Sequence, residues 1–320
     1  MWKQIVGCGA LNWDIFFYVE DLTKVSFEGV YLRPGHEYVL ERKAFLELLA
    51  KLKEEALLVF EGGGGSSANT IYGLSKIGFK TAFLGAVGAD LFGKRALEEL
   101  KKVSINTEKV RIYGETSLAI IILDRKRDRA IVVSPGTAEK ALCFQKEDLF
   151  SEALYHLSSF ASSEGISFQK DLLAHLDNRI SLDPGEIYSS KGKAFLAPFI
   201  EKTDFLFITE RELRLSELSL DDLLERKVRT IFIKRGSKGA MACKRGFLVK
   251  SSVYPASKIV DNTGAGDYFN AGVLAGISLG LTLEHSLELG LIFASLSLRD
   301  FGRSGTMNYH EFKKSLNELK

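Results

Sequence analysis

A glycine-rich turn opens a helix at residues 261–272, which read Asp261-Asn262-Thr263-Gly264-Ala265-Gly266-Asp267-Tyr268-Phe269-Asn270-Ala271-Gly272. After Gly266 the apolar residues follow helical spacing as far as Leu279. The first N–H groups of a helix have no partner inside it, and they lie at the positive end of its dipole. The sequence therefore predicts an anion site formed by the backbone of Gly264, Ala265, Gly266 and Asp267.

Asp267 places a carboxylate where an anion is expected to bind. This placement is understandable if Asp267 is a base that faces a substrate hydroxyl while the N–H groups hold a phosphoryl group in transfer. A lone Asp at this position is more often a simple helix cap. The complete string from Asp261 to Asp267 favours the base.

A second glycine cluster lies between Gly62 and Gly93 and contains nine of the 29 glycines. It includes two motif-like stretches, Gly64-Gly65-Ser66-Ser67-Ala68-Asn69 and Leu84-Gly85-Ala86-Val87-Gly88-Ala89-Asp90-Leu91-Phe92-Gly93. Together with 9–14, 234–239 and 261–267, these stretches resemble the motifs of the ribokinase-like (PfkB-type) carbohydrate and nucleoside kinases. They occur in the family's order and cover nearly the whole chain.

The resemblance implies a role for each matching residue. Asp267 would be the general base, and Gly264, Ala265 and Gly266 would form the anion hole for the γ-phosphoryl group of ATP. The sugar or nucleoside would be bound by Asn12, Asp14, Gly64, Gly65 and Asn69. The nucleotide would be bound by Lys234, Gly236, Ser237, Gly239 and Thr263. Without the resemblance, 12–14 would be a turn after a strand and 234–239 a hairpin turn.

The family's metal element, Asn-x-x-Glu, corresponds here to Thr209-Glu210-Arg211-Glu212. The resemblance implies that Glu212 positions Mg²⁺ through water, whereas Thr209 replaces the family's Asn and its role is left open. The expected cofactors are ATP and Mg²⁺. A monovalent cation beside the anion hole is common in the family, and nothing in this sequence decides whether one binds.

Apolar runs of strand length alternate with helical patterns along the chain, which predicts a mainly parallel sheet with helices on both faces. The predicted strands are Ile5–Cys8, Thr81–Gly85, Ile180–Leu182, Asp204–Ile208 and Thr230–Ile233. The predicted helices are Ala68–Ile77, Gly93–Lys102, Glu147–Ala153, Phe168–Leu176 and Lys191–Ile200. We expect an α/β fold, the three-layer αβα sandwich of ribokinase-like proteins, with a small β-sheet lid.

Two pairs of strands break the alternation and predict a small antiparallel sheet. They are Asp14–Val19 with His36–Leu40, and Thr116–Leu123 with Arg129–Ser134. We assign residues 15–40 and 114–134 to this lid, and residues 1–14, 41–113 and 135–320 to the main domain. The lids of many family members pair, so the resemblance implies a homodimer through the lid. Residues 44–58 predict a helical insertion without an assigned purpose.

The substrate class stays open between several readings. Ser66 occupies a position where true ribokinases tend to carry Lys, and Asp183-Pro184-Gly185 lacks the pattern of fructokinases and ketodeoxygluconate kinases. These strings look most like archaeal kinases of nucleosides or pentose phosphates, with a fructokinase- or ketodeoxygluconate kinase-like hexose kinase as the alternative. Should the substrate carry a phosphate, the candidate lid cations are Arg33, Arg125, Arg127 and Arg129.

Three other classes of protein share single features with this sequence. A non-catalytic sensor with the same fold would need no base such as Asp267. A P-loop is excluded because Arg95 follows Gly88–Lys94 where Ser or Thr must hold Mg²⁺. A dinucleotide fingerprint at Gly7–Gly9 is excluded because its third glycine position is Asn12.

The composition indicates which classes of partner and which cell compartment to expect. The formal net charge of +2, from 43 Lys and Arg against 41 Asp and Glu, argues against a nucleic-acid binder. The longest uncharged stretch, Tyr268–Leu283, is shorter than a membrane span. The three cysteines form no paired motif. We therefore expect a cytoplasmic enzyme with a small-molecule substrate.

Overall fold

The structure is a computed structural model that describes residues 2–27, 29–126, 128–226 and 228–319. Its strands over these residues are β1 Gln4–Cys8, β2 Asn12–Tyr18, β3 Ser26–Phe27, β4 Val30–Tyr31, β5 Glu37–Val39, β6 Leu57–Gly64, β7 Thr81–Leu84, β8 Ala86–Val87, β9 Arg111–Ile112, β10 Ser117–Leu123, β11 Arg129–Ser134, β12 Ala153–Ser158, β13 Arg179–Asp183, β14 Phe205–Thr209, β15 Thr230–Lys234, β16 Ala240–Lys244 and β17 Phe247–Ser251. Its helices are α1 Arg42–Glu55, α2 Ser66–Lys76, α3 Leu91–Lys102, α4 Ser163–His175, α5 Gly185–Ser189, α6 Gly192–Ile200, α7 Glu210–Leu215, α8 Leu220–Glu225, α9 Ala265–Ser278, α10 Leu283–Ser297 and α11 Tyr309–Glu318.

The main sheet has eight strands within the described residues, in the order β17-β16-β15-β14-β13-β12-β1-β7. The strands from β15 to β7 are parallel to their neighbours, whereas β16 and β17 pair antiparallel at one edge. Alternate residues of β1 enter opposite cores: Ile5 packs with α2, α9 and α10, and Val6 packs with α4 and α6. The predicted three-layer α/β arrangement is therefore confirmed. None of the helices in the described ranges is long and apolar enough to cross a membrane.

One predicted helix was wrong. Residues 147–153 contain only a short 3₁₀ turn, Lys146–Asp148, and the chain then enters the buried central strand β12. The sequence obscured this strand because it carries His156 and Ser158 in a buried setting. Each has a partner from another element: His156 Nδ1 lies 2.9 Å from the Oγ of Ser181, and Ser158 accepts the N–H of Ser67.

The second sheet has five strands in the described chain, in the order β5-β11-β10-β2-β6. The predicted antiparallel arrangement was wrong in part, because β10 runs parallel to β2 and β11 runs parallel to β5. The sheet also takes in β6, a stretch that the sequence analysis left in the main domain. The Leu57–Gly64 segment escaped notice because its apolar start continues the pattern of the preceding helix and its end is glycine.

The insertion around α1 covers one face of this second sheet. Alternate residues of β2 and β10 join one apolar core with the buried face of α1, namely Trp13, Ile15, Phe17, Leu118, Ile120, Ile122, Phe45, Leu48, Leu49 and Leu52. On the same face, the ring of Trp13 lies 6.0 Å from that of Phe92 in α3. The opposite residues of the same strands, including Asp14 and Ile121, face a cleft. The sheet is therefore a lid whose outer surface is covered by its own chain.

The packing of α1 leads to a stability prediction. Phe45 is fully buried against the outer face of the lid sheet, whereas its neighbour Leu46 is 47% exposed. Phe45→Ala leaves a cavity and should lower the free energy of unfolding by roughly 3–5 kcal/mol. Leu46→Ala should change it by less than about 0.5 kcal/mol. Urea unfolding measures both variants, and equal losses would show that α1 does not pack as described.

Candidate active site

A cleft of about 910 Å³ lies between the lid and the carboxyl ends of the parallel strands. Ligands of open α/β sheets bind at this edge, and the volume suits two small molecules side by side. All but one of the predicted site residues line it: Asn12, Asp14, Gly65, Asn69, Glu212, Lys234, Gly236, Ser237, Gly239, Thr263, Gly264, Ala265, Gly266 and Asp267. Gly64, the exception, lies just behind Asp14.

The amino end of α9 faces this cleft without a cap. Gly264 precedes the helix with φ +76°, a conformation that glycine adopts without strain, and it has no side chain to bond the first-turn N–H groups. The N–H groups of Gly266 and Asp267 are therefore available to an anion in the cleft, as the sequence predicted.

Asp267 lies in the first turn of α9, and its carboxylate is held by two donors from α2. The hydroxyl of Ser66 donates to Oδ1 at 2.7 Å, and the amide of Asn69 donates to Oδ2 at 3.0 Å. Burial raises the pKa of Asp267 to about 6, although the bond from Asn69 acts in the opposite direction. A carboxylate with these properties is ionised at neutral pH and is still basic enough to take a proton.

Asn12 and Asp14 point from β2 into the cleft because they occupy alternate positions of that strand. One side-chain oxygen of each residue is buried with no partner in the described structure. Burial raises the pKa of Asp14 to about 7, opposed mainly by the charge of Arg303. A Cβ added at Gly64 would lie 2.0 Å from Asp14 Oδ2, so only glycine leaves room for this carboxyl group. Unpartnered buried acceptors of this kind suit the hydroxyl groups of a ligand.

A charge cluster lies on the other side of the anion site. Lys234 ends β15 and bonds the Oδ2 of Asp183 at 2.5 Å, and the same oxygen accepts the amide of Asn270 at 2.6 Å. Burial opposes the charged form of Lys234, but Asp183 and Glu212 outweigh this effect and raise its pKa. Lys234 therefore stays protonated next to Gly266 and adds a fixed positive charge beside the uncapped helix.

Thr209 and Glu212 form a reciprocal cap at the start of α7. Glu212 Oε2 accepts the N–H of Thr209 at 2.8 Å, and the Thr209 hydroxyl accepts the N–H of Glu212 at 3.1 Å. Thr therefore does here what a capping Asn would do. Burial raises the pKa of Glu212. The capping bond occupies one carboxylate oxygen, which leaves the other free to face the cleft.

Mg²⁺ usually keeps several waters and binds one or two protein carboxylates together with phosphate oxygens. The described residues contain no cluster of three or more His, Cys, Asp and Glu side chains that could hold a metal by themselves. The free oxygen of Glu212 at the cleft fits the water-mediated contact that the resemblance implies. The residues present therefore suit Mg²⁺ brought in with a nucleotide.

The far end of the cleft has a turn and an apolar wall. Gly236, Ser237 and Gly239 lie in the turn that follows β15. Apolar side chains also line the cleft, namely Val253, Pro255, Ala256, Ile259, Ala294 and Leu298. A flat aromatic base would bury its faces against such a wall.

Of the candidate lid cations, Arg129 alone lines the cleft among the described residues, and its guanidinium donates to both oxygens of Asn262. Arg33 is exposed, and Arg125 pairs with Glu20 at the surface. Arg127 lies outside the described residues. The lid arginines thus tie the lid to the loop before α9 at one point, Arg129.

A second tie joins the lid to the main domain beside α7. Arg211 donates to the carbonyl of Gly35, to Nδ1 of His36 at 2.8 Å and to Glu186 Oε1 at 2.7 Å. Glu186 also accepts the N–H of Glu37 at 3.3 Å. These bonds hold the lid over the cleft, where it can keep water from a reacting group.

Sequence reasoning missed four residues that hold the site together. Ser66 and Asn270 lie inside quoted motifs, and their side-chain contacts are not visible in a string. Asp183 was noted only for the pattern that it lacks, although its place at the end of a parallel strand was a usable signal. Arg303, which bonds Asn69 from behind, lies in no motif at all.

Known proteins resemble this chain over most of its length. The profile of the pfkB family carbohydrate kinases matches residues 51–308. An uncharacterized sugar kinase of Archaeoglobus fulgidus is 32% identical over 243 residues, which cover 72% of this chain and 96% of the relative. A nucleoside kinase of Methanocaldococcus jannaschii is 30% identical over 238 residues, which cover 72% of this chain and 78% of the relative.

Solved structures share the fold. The nucleoside kinase of Methanocaldococcus jannaschii, described as an archaeal member of the ribokinase family, superposes with a TM-score of 0.77 at 24% identity and covers 99% of both chains. A nucleoside kinase of Burkholderia thailandensis in complex with inosine gives a TM-score of 0.80 at 19% identity and covers 98% of both chains. The likeness to these two structures concerns the fold.

The two donors to Asp267 lead to a prediction about its titration. Ser66→Ala removes one bond that stabilises the ionised carboxylate, so the pKa of Asp267 should rise above its starting value of about 6. Carboxyl-carbon NMR of protein labelled at aspartate would follow the change. Ser163→Ala removes a comparable bond to Glu164 at the surface and serves as the control. An unmoved Asp267 in the Ser66 variant would contradict the described geometry.

Proposed function

The chain belongs to the pfkB family of carbohydrate kinases, whose members act on an alcohol group, and from this premise we propose that it transfers the γ-phosphoryl group of ATP to a hydroxyl of a nucleoside. The observation that carries the proposal is Asp267 at the uncapped end of α9, held by Ser66 and Asn69 and facing the cleft. A sugar without a base is the alternative within the same family.

In this proposal the N–H groups of Gly266 and Asp267 hold the γ-phosphoryl group, and the substrate hydroxyl lies between that group and the carboxylate of Asp267. The carboxylate takes the hydroxyl proton as the oxygen forms its bond to phosphorus and the bond to the leaving diphosphate breaks. The backbone N–H groups and Lys234 stabilise the negative charge on the transferring group. Mg²⁺, when bound with ATP, neutralises charge on the phosphates, and the free oxygen of Glu212 would contact it through water.

The position of the nucleotide follows from this arrangement. The turn at Gly236–Gly239 and the apolar wall beyond it would bind the ribose and base of ATP, and Thr263 would line the phosphate path. A monovalent cation beside the anion hole stays an open expectation.

The substrate end of the cleft supports a neutral molecule with an apolar part. Asn12 and Asp14 offer unpartnered oxygens to hydroxyl groups. The lid above them presents apolar side chains, namely Ala119, Ile121, Ile131 and Val133. Asp14 would repel a phosphate, and Arg129 is engaged with Asn262. A ribose on the polar floor with a base beneath the apolar lid satisfies both surfaces, which favours a nucleoside over a sugar phosphate.

A homodimer through the lid also stays a proposal, and the structure limits how it could form. One face of the lid lines the cleft and the other is covered by α1. Exposed apolar residues at the two edge strands, Leu57 and Leu58 in β6 and Val39 in β5, would offer a second copy part of the lid surface, together with Val30 and Tyr31 in β4.

The role of Asp267 is tested by Asp267→Asn. The substitution keeps the shape of the side chain and removes the base, so kcat should fall by roughly 10²- to 10⁴-fold in a coupled ADP-release assay. For the unmodified protein, kcat/KM should rise as the pH increases through about 6, because Asp267 must lose its proton to act.

Two controls make this result interpretable. Asp171→Asn, on the exposed surface of α4, should keep full activity. Calorimetric binding of a nucleoside to Asp267→Asn would show that the site still forms. Undiminished transfer by Asp267→Asn would overturn the role of the base. Ligand binding by the unmodified protein without any transfer would favour a sensor.

The substrate proposal is tested with a panel of nucleosides, ribose, ribose phosphates and fructose derivatives, each with ATP or ADP as donor. We expect the highest kcat/KM with a nucleoside and ATP. Ile121→Asp puts a charge where the base would lie, and it should raise the KM for nucleosides more than that for free ribose. A preference for ribose phosphates would contradict the neutral substrate.

A further inference from the structure

Arg303 lies behind the active site in the short turn Gly302–Gly305 that follows α10. Its side chain is only 5% exposed and does not line the cleft. It donates from Nε to Asn69 Oδ1 at 3.0 Å, from Nη2 to the Gly64 carbonyl at 3.2 Å and from Nη1 to Glu99 Oε2 at 3.2 Å. All three of its nitrogens are thus engaged within the protein.

We propose that Arg303 is a positioning residue that orients the base Asp267 through the amide of Asn69; the inference rests on the proposed function. An amide side chain has an acceptor end and a donor end, whereas a guanidinium has donors only. With Arg303 behind it, Asn69 must turn its oxygen to the arginine and its NH₂ to Asp267 Oδ2, which lies 3.0 Å away. The reversed amide would place an oxygen against the carboxylate.

The arginine itself is fixed from the outside. Glu99 accepts from Arg303 and also from the N–H of Gly63 at 3.1 Å, so it joins the guanidinium to strand β6. The ring of Tyr72 lies 5.1 Å from the guanidinium carbon. Because these contacts leave Arg303 little freedom, the amide that it bonds is held in one orientation before any substrate arrives.

Arg303 also influences the substrate side of the cleft. Its charge opposes the burial that raises the pKa of Asp14, and its bond to the Gly64 carbonyl supports the backbone against which Asp14 rests. One buried cation therefore stands behind both carboxylates of the site, Asp14 and Asp267. It is not placed to bind a substrate phosphate, since it does not line the cleft and all three of its nitrogens bond within the protein.

The test combines Arg303→Met with Asn69→Ala, alone and together. If Arg303 acts through Asn69, each single variant should lower kcat by about 10- to 100-fold, because small misplacements of a reacting group are costly. Each should also shift the acid limb of the pH profile to higher pH, because the bond that stabilises ionised Asp267 is weakened or lost. The double variant should be hardly slower than Asn69→Ala, since the effects of coupled residues do not add. If the loss of kcat in the double variant equals the product of the two single losses, the residues act independently and the inference is overturned.

Further variants separate positioning from stability. Arg111→Met breaks another partly buried ion pair, with Asp148 at 2.8 Å and away from the cleft, and it should leave kcat and the pH profile unchanged. If Arg303→Met does not fold, Arg303→Lys keeps the charge without the fixed fork, and it should still shift the acid limb. Lower thermal stability with normal kcat and an unmoved limb would reduce Arg303 to a structural role. That result, combined with an inactive Asp267→Asn, would leave the proposed function intact.

Discussion

The structure depends on one constraint, a carboxylate kept buried and ionisable at the uncapped start of a helix. Desolvation opposes the charge of Asp267, and the hydroxyl of Ser66, the amide of Asn69 and the dipole of α9 partly offset that cost. These partners must come from α2, so α2 and α9 have to lie side by side with their amino ends at the same cleft. Both helices begin directly after a glycine of positive φ, Gly65 and Gly264, which brings the chain abruptly from strand or loop into helix.

Much of this arrangement could be predicted from the sequence, because a glycine marks a position where the backbone turns sharply or lies close to a ligand. The turn at Gly264–Gly266 and the buried strands of the main sheet are visible as local patterns. Contacts between distant side chains are not, which is why the bond from Ser66 to Asp267 across 201 positions and the bond from Arg303 to Asn69 across 234 positions could only come from the fold. Thr209 stands where the family motif has Asn, and the sequence alone left its role open. In the structure Thr209 caps α7 together with Glu212, a role that Asn could also fill.

The lid shows a different limit of sequence reasoning. Strand pairing in a mixed sheet depends on which segments meet in space, and β2 pairs with β10 rather than with its nearest predicted neighbour. The strand predicted from Asp14 begins at Asn12 in the structure, and its alternation separates Asn12 and Asp14 from Trp13 and Ile15. What the sequence could not supply was the partner of the outer residues. Helix α1 is that partner, and it gives the insertion a structural purpose: it removes a broad apolar face from water within a single chain.

The distribution of charge in the cleft connects these features to chemistry. The net charge of the chain is only +2. Under the proposed function, the positive end of α9 and Lys234, which pairs with Asp183, would attract the phosphates. On the substrate side, burial raises the pKa of Asp14, and the negative charge of Asp267 raises it further. A second anion would therefore be favoured at the helix end and disfavoured beside Asp14. Under the proposed function, the same field would hold a phosphoryl group at α9 and favour an uncharged hydroxyl compound as its acceptor.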